Sequence, residues 1–173
     1  MTDPDEYGQR HPIESEELIA YKLNEFCTEL DKIPDNEVAI RSRKPDPTDD
    51  RLMFLRAEVF DAQKAAVRYV NYWKKRSELF KDDESIISKE THDPVCLSLG
   101  FINVVHATTS GRTYAFMDPS KLDKKLYTKK NMVKAAWYFA HQALLQDVNV
   151  QKQGLVVLEF PKHVKSRNVD LSL

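Results

Sequence analysis

Glycine is scarce in this chain of 173 residues, where only Gly8, Gly100, Gly111 and Gly154 occur. They are too dispersed to build a loop that cradles phosphate with backbone N–H groups, which excludes that route to nucleotide binding. Cysteine is scarcer still. Cys27 and Cys96 lie far apart and flank no CxxC spacing, which argues against a disulfide framework or a zinc site and suits a reducing compartment. No apolar run reaches the roughly eighteen residues of a membrane-spanning helix. The opening stretch, "MTDPDEYGQRHPIESEE", lacks the apolar segment of a secretory signal and is too acidic for a transit peptide, so the expected location is cytoplasmic. A net charge of −1 gives no global pull toward nucleic acid or acidic membrane, and such a partner needs a local patch. Enzyme signatures are missing as well: there is no HExxH, no GxSxG and no pair of CxxC units. None of the five histidines sits at i, i+4 from another beside a carboxylate. No catalytic residue, metal ligand or cofactor is assigned, and a non-enzymatic role is expected.

What is present is an ordinary globular composition, 42% hydrophobic and 31% charged. Residues 1–14 read as a loose tail. From Ser15 to Ile33 the apolar residues Leu18, Ile19, Leu23, Phe26, Cys27 and Leu30 fall on one helical face, and Pro34 ends the run. "RKPDPTDD" is a turn-rich link in which Thr48 or Asp49 is available as a cap. A short helix carrying Leu52, Phe54 and Leu55 follows. Asp61 opens a longer helix, with Phe60 placed to staple its first turns and Ala62, Ala65, Ala66, Tyr69, Val70 and Trp73 as its inward stripe. Small alanines there allow close helix–helix approach. Residues 15–80 thus read as a helical lobe, and the charged stretch 81–94 as a connector.

Beyond the connector the hydrophobic period changes. "FINVVHATTSGRTYAFMD" reads as two strands joined near Gly111. A helix over 132–146 follows, with Val133, Ala136, Trp137, Ala140 and Leu144 as its stripe, and then the unbroken apolar strand Leu155–Phe160. Strand, helix, apolar strand is the pattern of a crossover unit, so Tyr114–Met117 and Leu155–Phe160 are expected to run parallel in one sheet. A strand without alternation normally needs cover on both faces, and one crossover helix covers only one. The sheet in 95–173 therefore reads as unfinished, and the chain as part of a longer protein.

Three further features ask for a reading. The aromatics Tyr69, Tyr72, Trp73, Trp137, Tyr138 and Phe139 suit either core packing or the wall of an apolar cavity. His141 on the crossover helix and Ser110 near His106 read as structural and turn residues. Six lysines lie between Lys121 and Lys134, with Lys129 and Lys130 at the start of the crossover helix, where cations oppose the helix dipole. Lys162, Lys165 and Arg167 add charge beyond the final strand. These lysines form a solvated face or a patch for anionic headgroups; without exposed aromatics between them, nucleic acid is not the expected partner.

At "RLMFLRAEVFDAQKAAVRYVNYWKKR" the chain resembles the N-terminal helical segment of the CRAL-TRIO lipid-binding proteins. The family pattern is met by Leu52, Phe54-Leu55-Arg56-Ala57, Phe60-Asp61, Ala65-Ala66, and Trp73 with Arg76. Gly111-Arg112, a strand, a helix and Gly154–Leu158 then follow in the family's order, so the similarity spans about Leu18 to Phe160. Glu58 stands where the family usually has a base, and Glu159-Phe160-Pro161 replaces an acid followed by glycine. The resemblance implies an α/β fold: a helical lobe, then an incomplete α/β/α CRAL-TRIO lobe built from a strand hairpin, a crossover helix and a parallel strand. It implies binding or transfer of a hydrophobic lipid without chemistry, with Tyr114, Phe116, Val156 and Leu158 on the floor of the cavity. No headgroup residue of the family carries over. Transient contact of Lys129 and Lys130 with an anionic membrane is a further expectation. The alternatives are an interaction module whose open sheet is covered by a protein partner or by self-association, and a truncated product with no function of its own.

Overall fold

The computed structural model describes residues 8–34, 48–80, 102–106, 113–122, 125 and 128–165. Among these residues the chain is an α/β protein: helices α1 (Glu16–Asp31), α2 (Thr48–Ala57) and α3 (Ala62–Phe80), then strands β1 (Ile102–His106) and β2 (Thr113–Met117), helices α4 (Lys129–Gln146) and α5 (Val148–Gln153), and strand β3 (Leu155–Glu159). The connector expected at 81–94, the turn with Ser110 and Gly111, and the Lys129 side chain lie outside the described residues. The chain divides into two compact units, residues 1–82 with 151–153, and residues 83–150 with 154–173.

In the first unit α1, α2 and α3 pack pairwise. α1 and α3 start as their sequence dictates, whereas Thr48 and Asp49, expected as caps, are the first residues inside α2. Ser15 caps α1, its Oγ accepting from the Leu18 N–H at 3.2 Å, and the Asp61 carboxylate accepts from the Lys64 N–H at 3.0 Å ahead of α3. The expected inward stripe of α3 is buried in full, and Ala65 and Ala66 have no exposed surface. Around Tyr69 the rings meet edge to face: Phe26 at 5.4 Å, Phe54 at 5.2 Å and Trp73 at 5.9 Å between centroids. Such pairs add about 0.5–1.5 kcal/mol each to the burial of their area. Trp73 and Tyr69 are therefore core residues of the helical unit rather than cavity wall.

The turn between α2 and α3 holds two consecutive non-glycine residues in the left-handed region, Val59 at φ 52° and Phe60 at φ 61°. The Phe60 N–H reaches back to the Leu55 carbonyl at 2.7 Å, which closes the end of α2 and turns the Phe60 side chain into the core. The expected loose tail is in fact fixed at its inner end. His11 is buried, and Glu14 receives Arg56 through both carboxylate oxygens, with Nη2 at 2.7 Å, and Lys152 at 2.8 Å. Arg56 also donates to the Gln151 side-chain oxygen at 2.8 Å. One carboxylate facing two cations holds this segment, a connection that helical periodicity does not encode.

In the second unit β2 is the central strand. It pairs antiparallel with β1 and parallel with β3, as the crossover pattern predicts. Gly154 enters β3 at φ 78°, a conformation that suits glycine. The stripe expected on α4 is out of phase: Ala136 and Ala140 are exposed, whereas Met132, Ala135, His141 and Ala143 are buried. The helix is rich in small and apolar residues around its whole circumference, so two neighbouring stripes compete and the pattern alone does not fix its rotation.

Candidate functional site

Strand register decides which side chains share a face of the sheet. In the parallel pair, Tyr114 lies opposite Val156 and Phe116 opposite Leu158. Successive residues of a strand point to opposite faces, so these four residues stand together on one face, and Thr113, Ala115, Met117, Leu155, Val157 and Glu159 stand on the other. The structure thus brings together all four residues expected to line a ligand.

The two faces of β2 differ in cover. Thr113 and Ala115 are buried, and the Thr113 hydroxyl donates to the Asp147 carboxylate at 2.9 Å. The other oxygen of Asp147 accepts from the Asn149 N–H at 2.8 Å, so one carboxylate caps α5 and tethers β2. On the opposite face Tyr114, Phe116 and Val156 are half-buried and Leu158 is 37% exposed. Burial falls along β3 toward its end, with Val157 at 54% exposure. The unbroken apolar run of β3 thus predicts cover on both faces, while among the described residues its second half meets solvent. Among the described residues β3 is an edge strand that pairs with β2 alone, which leaves that half with one neighbour.

Phe160 extends the site by one ring. It lies just past β3, yet its N–H continues the ladder to the Met117 carbonyl at 3.0 Å. Its ring stacks on Phe116, with centroids 5.8 Å apart and planes 21° apart, and remains 53% exposed. The residue belongs to the apolar strand in the sequence; the signal for its role was the spacing Val156, Leu158, Phe160, which keeps all three on one face.

The cationic expectation is met in position only. Lys129 and Lys130 open α4 behind the Thr128 cap, whose Oγ1 accepts from the Asn131 N–H at 3.2 Å, and Lys130 is exposed. A groove of about 490 Å³ on the outer side of α3 is lined by Glu58, Gln63, Lys64, Val67, Arg68 and Asn71. Its cations are already engaged, Arg68 with Glu58 and Lys64 with Asp61 at 3.0 Å. Among the described residues no group of three or more His, Cys, Asp or Glu is placed to hold a metal ion, and no helix is long and apolar enough to cross a membrane. The apolar sheet face, not a polar cluster, is the candidate site. In comparisons with known proteins, no family model matches the chain and no curated protein does either.

Proposed function

We infer that the sheet face formed by Tyr114, Phe116, Val156 and Leu158, extended by Phe160, binds the apolar part of a hydrophobic small molecule or lipid. The chain then acts as a carrier of the CRAL-TRIO type, working in the cytoplasm and performing no chemistry. The observation that carries this reading is the register: it gathers five apolar side chains on one face and leaves the far end of that face half open. An apolar chain laid there leaves water at about 0.8 kcal/mol per buried methylene, so one long acyl or isoprenoid tail supplies the affinity. Among the described side chains of this face none is charged, so none of them selects a charged headgroup.

The test is native mass spectrometry of the purified chain after exposure to mixed phospholipids, fatty acids and isoprenoids, alongside the variant Phe116→Asp. Retention of a lipid by the parent and its loss in the variant are expected. A parent that takes up no lipid, or a folded variant that takes it up equally, removes the reading.

A second reading rests on a separate observation, the outer edge of β3, which has no strand partner among the described residues, with Val157 exposed on the face opposite the proposed site. Unprotected apolar edges recruit another strand, so the same region also suits a protein partner or a second copy. Light scattering after size exclusion tests the second copy: a monomer that still takes up lipid removes self-association and keeps the carrier reading.

A further inference from the structure

β2 and β3 are parallel, so their carboxyl ends lie at the same edge of the sheet. Each strand then runs into a single 3-10 turn opened by proline, Pro119–Lys121 after β2 and Pro161–His163 after β3, and the two turns pack against each other. This edge collects three exposed lysines, Lys121, Lys162 and Lys165. Among the described residues its carboxylates are Asp118 and Glu159. Asp118 is committed to its own turn, accepting from both the N–H and the hydroxyl of Ser120, and lies within electrostatic reach of Lys121 and His163. Beside the cations stand Leu158 and Phe160, both apolar and exposed. Cations next to protruding apolar and aromatic side chains are complementary to one kind of surface, a bilayer whose headgroups are anionic and whose interior is apolar.

We propose that the carboxyl end of the sheet docks on an anionic lipid surface, with Phe160 and Leu158 entering the headgroup layer and Lys121, Lys162 and Lys165 meeting its negative charge. This surface differs from the start of α4 in carrying apolar anchors next to its charges. A nucleic acid suits it less, because Phe160 already has one ring face on Phe116 and, among the described residues of this edge, no second exposed aromatic continues a stacking track. The proposal does not require that the sheet face itself hold a ligand.

The experiment is co-sedimentation with vesicles of phosphatidylcholine alone and of equimolar phosphatidylcholine and phosphatidylserine, at low and high salt. The parent chain is expected to partition onto the anionic vesicles and to lose most of that binding in salt, since exposed charges are screened. The double variant Lys162→Glu with Lys165→Glu should lower partition roughly tenfold or more, because each reversal removes an attraction and adds a repulsion. Phe160→Ser should lower the part of the binding that survives salt. Lys130→Glu is the control and should change partition less than about twofold. Equal binding to neutral and anionic vesicles, an unaffected double variant, or an equal loss in Lys130→Glu each overturns the proposal. The substituted residues are all exposed, so unchanged far-ultraviolet circular dichroism is expected to separate lost docking from lost folding. Lipid uptake by the double variant, read by native mass spectrometry, keeps the carrier reading and the docking proposal distinguishable.

Discussion

Val59 is β-branched and sits at φ 52°, where its branched side chain crowds its own backbone. The turn keeps this conformation because Phe60, one residue on, is buried and its N–H closes the end of α2. Replacing Val59 with glycine relieves crowding but loosens the unfolded chain, and strain of 1–3 kcal/mol in such a position exceeds the entropic loss. Val59→Gly is therefore expected to stabilise the helical unit by about 1 kcal/mol, read as a higher midpoint in urea. Glu14 makes the opposite case. Burial works to raise its pKa, but hydrogen bonds and charge from Arg56 and Lys152 outweigh that and hold it below the ordinary glutamate value of 4.5. A carboxyl whose folded pKa is depressed contributes stability above its unfolded value, and that stability is lost as pH falls through the folded one. Glu14→Gln should cost about 2 kcal/mol at neutral pH. It should also flatten the decline in stability below about pH 4.5, measured by urea melts across the acid range. Neither feature is legible in the sequence, since a positive φ and a pair between residues 14 and 56 both depend on where the chain returns.

At the scale of elements, legibility follows how strongly one pattern outcompetes its neighbours. α3 shows small and large apolar residues at helical spacing against a polar remainder, so its buried face is unique. α4 offers two apolar stripes, and only tertiary packing chose between them. The pairing of β2 with β3 was readable because a crossover of this length leaves a parallel partner as the natural one. The exposure of Val157 was not, because an unbroken apolar run states what a strand needs and not what it receives. The alanines of α3 allow a test of close approach. Ala65 is fully buried where α3 meets its neighbours, so Ala65→Leu must push helices apart. A loss of about 1–3 kcal/mol is expected, read as a lower urea midpoint with an unchanged slope. A neutral effect would mean that the interface has room for a larger side chain.

Over the whole molecule, the two units spend their apolar residues differently. The helical unit encloses most of its large rings, with Phe26, Phe54, Phe60, Tyr69 and Trp73 all buried and Tyr21 left exposed. The sheet unit keeps Val157, Leu158 and Phe160 in contact with solvent on and just past β3. Apolar surface of that kind is costly in water and marks a place where something binds or where chains stick together. The site was legible as a set of residues, because alternation along β2 and β3 places Tyr114, Phe116, Val156 and Leu158 on one face. Its openness was legible only as an imbalance between a strand that needs two covers and a crossover that supplies one. A hydrophobic fluorescent dye reads this surface directly. The native chain is expected to raise the dye's emission without any denaturant, and Phe160→Ser combined with Val157→Thr to remove most of that signal while leaving the urea midpoint within about 0.5 kcal/mol of the parent, since both side chains are largely exposed already. Added fatty acid should displace the dye from the parent. Displacement without a change in oligomeric state assigns the face to a small ligand, whereas dye binding that falls only as the protein is concentrated assigns it to a second copy of the chain.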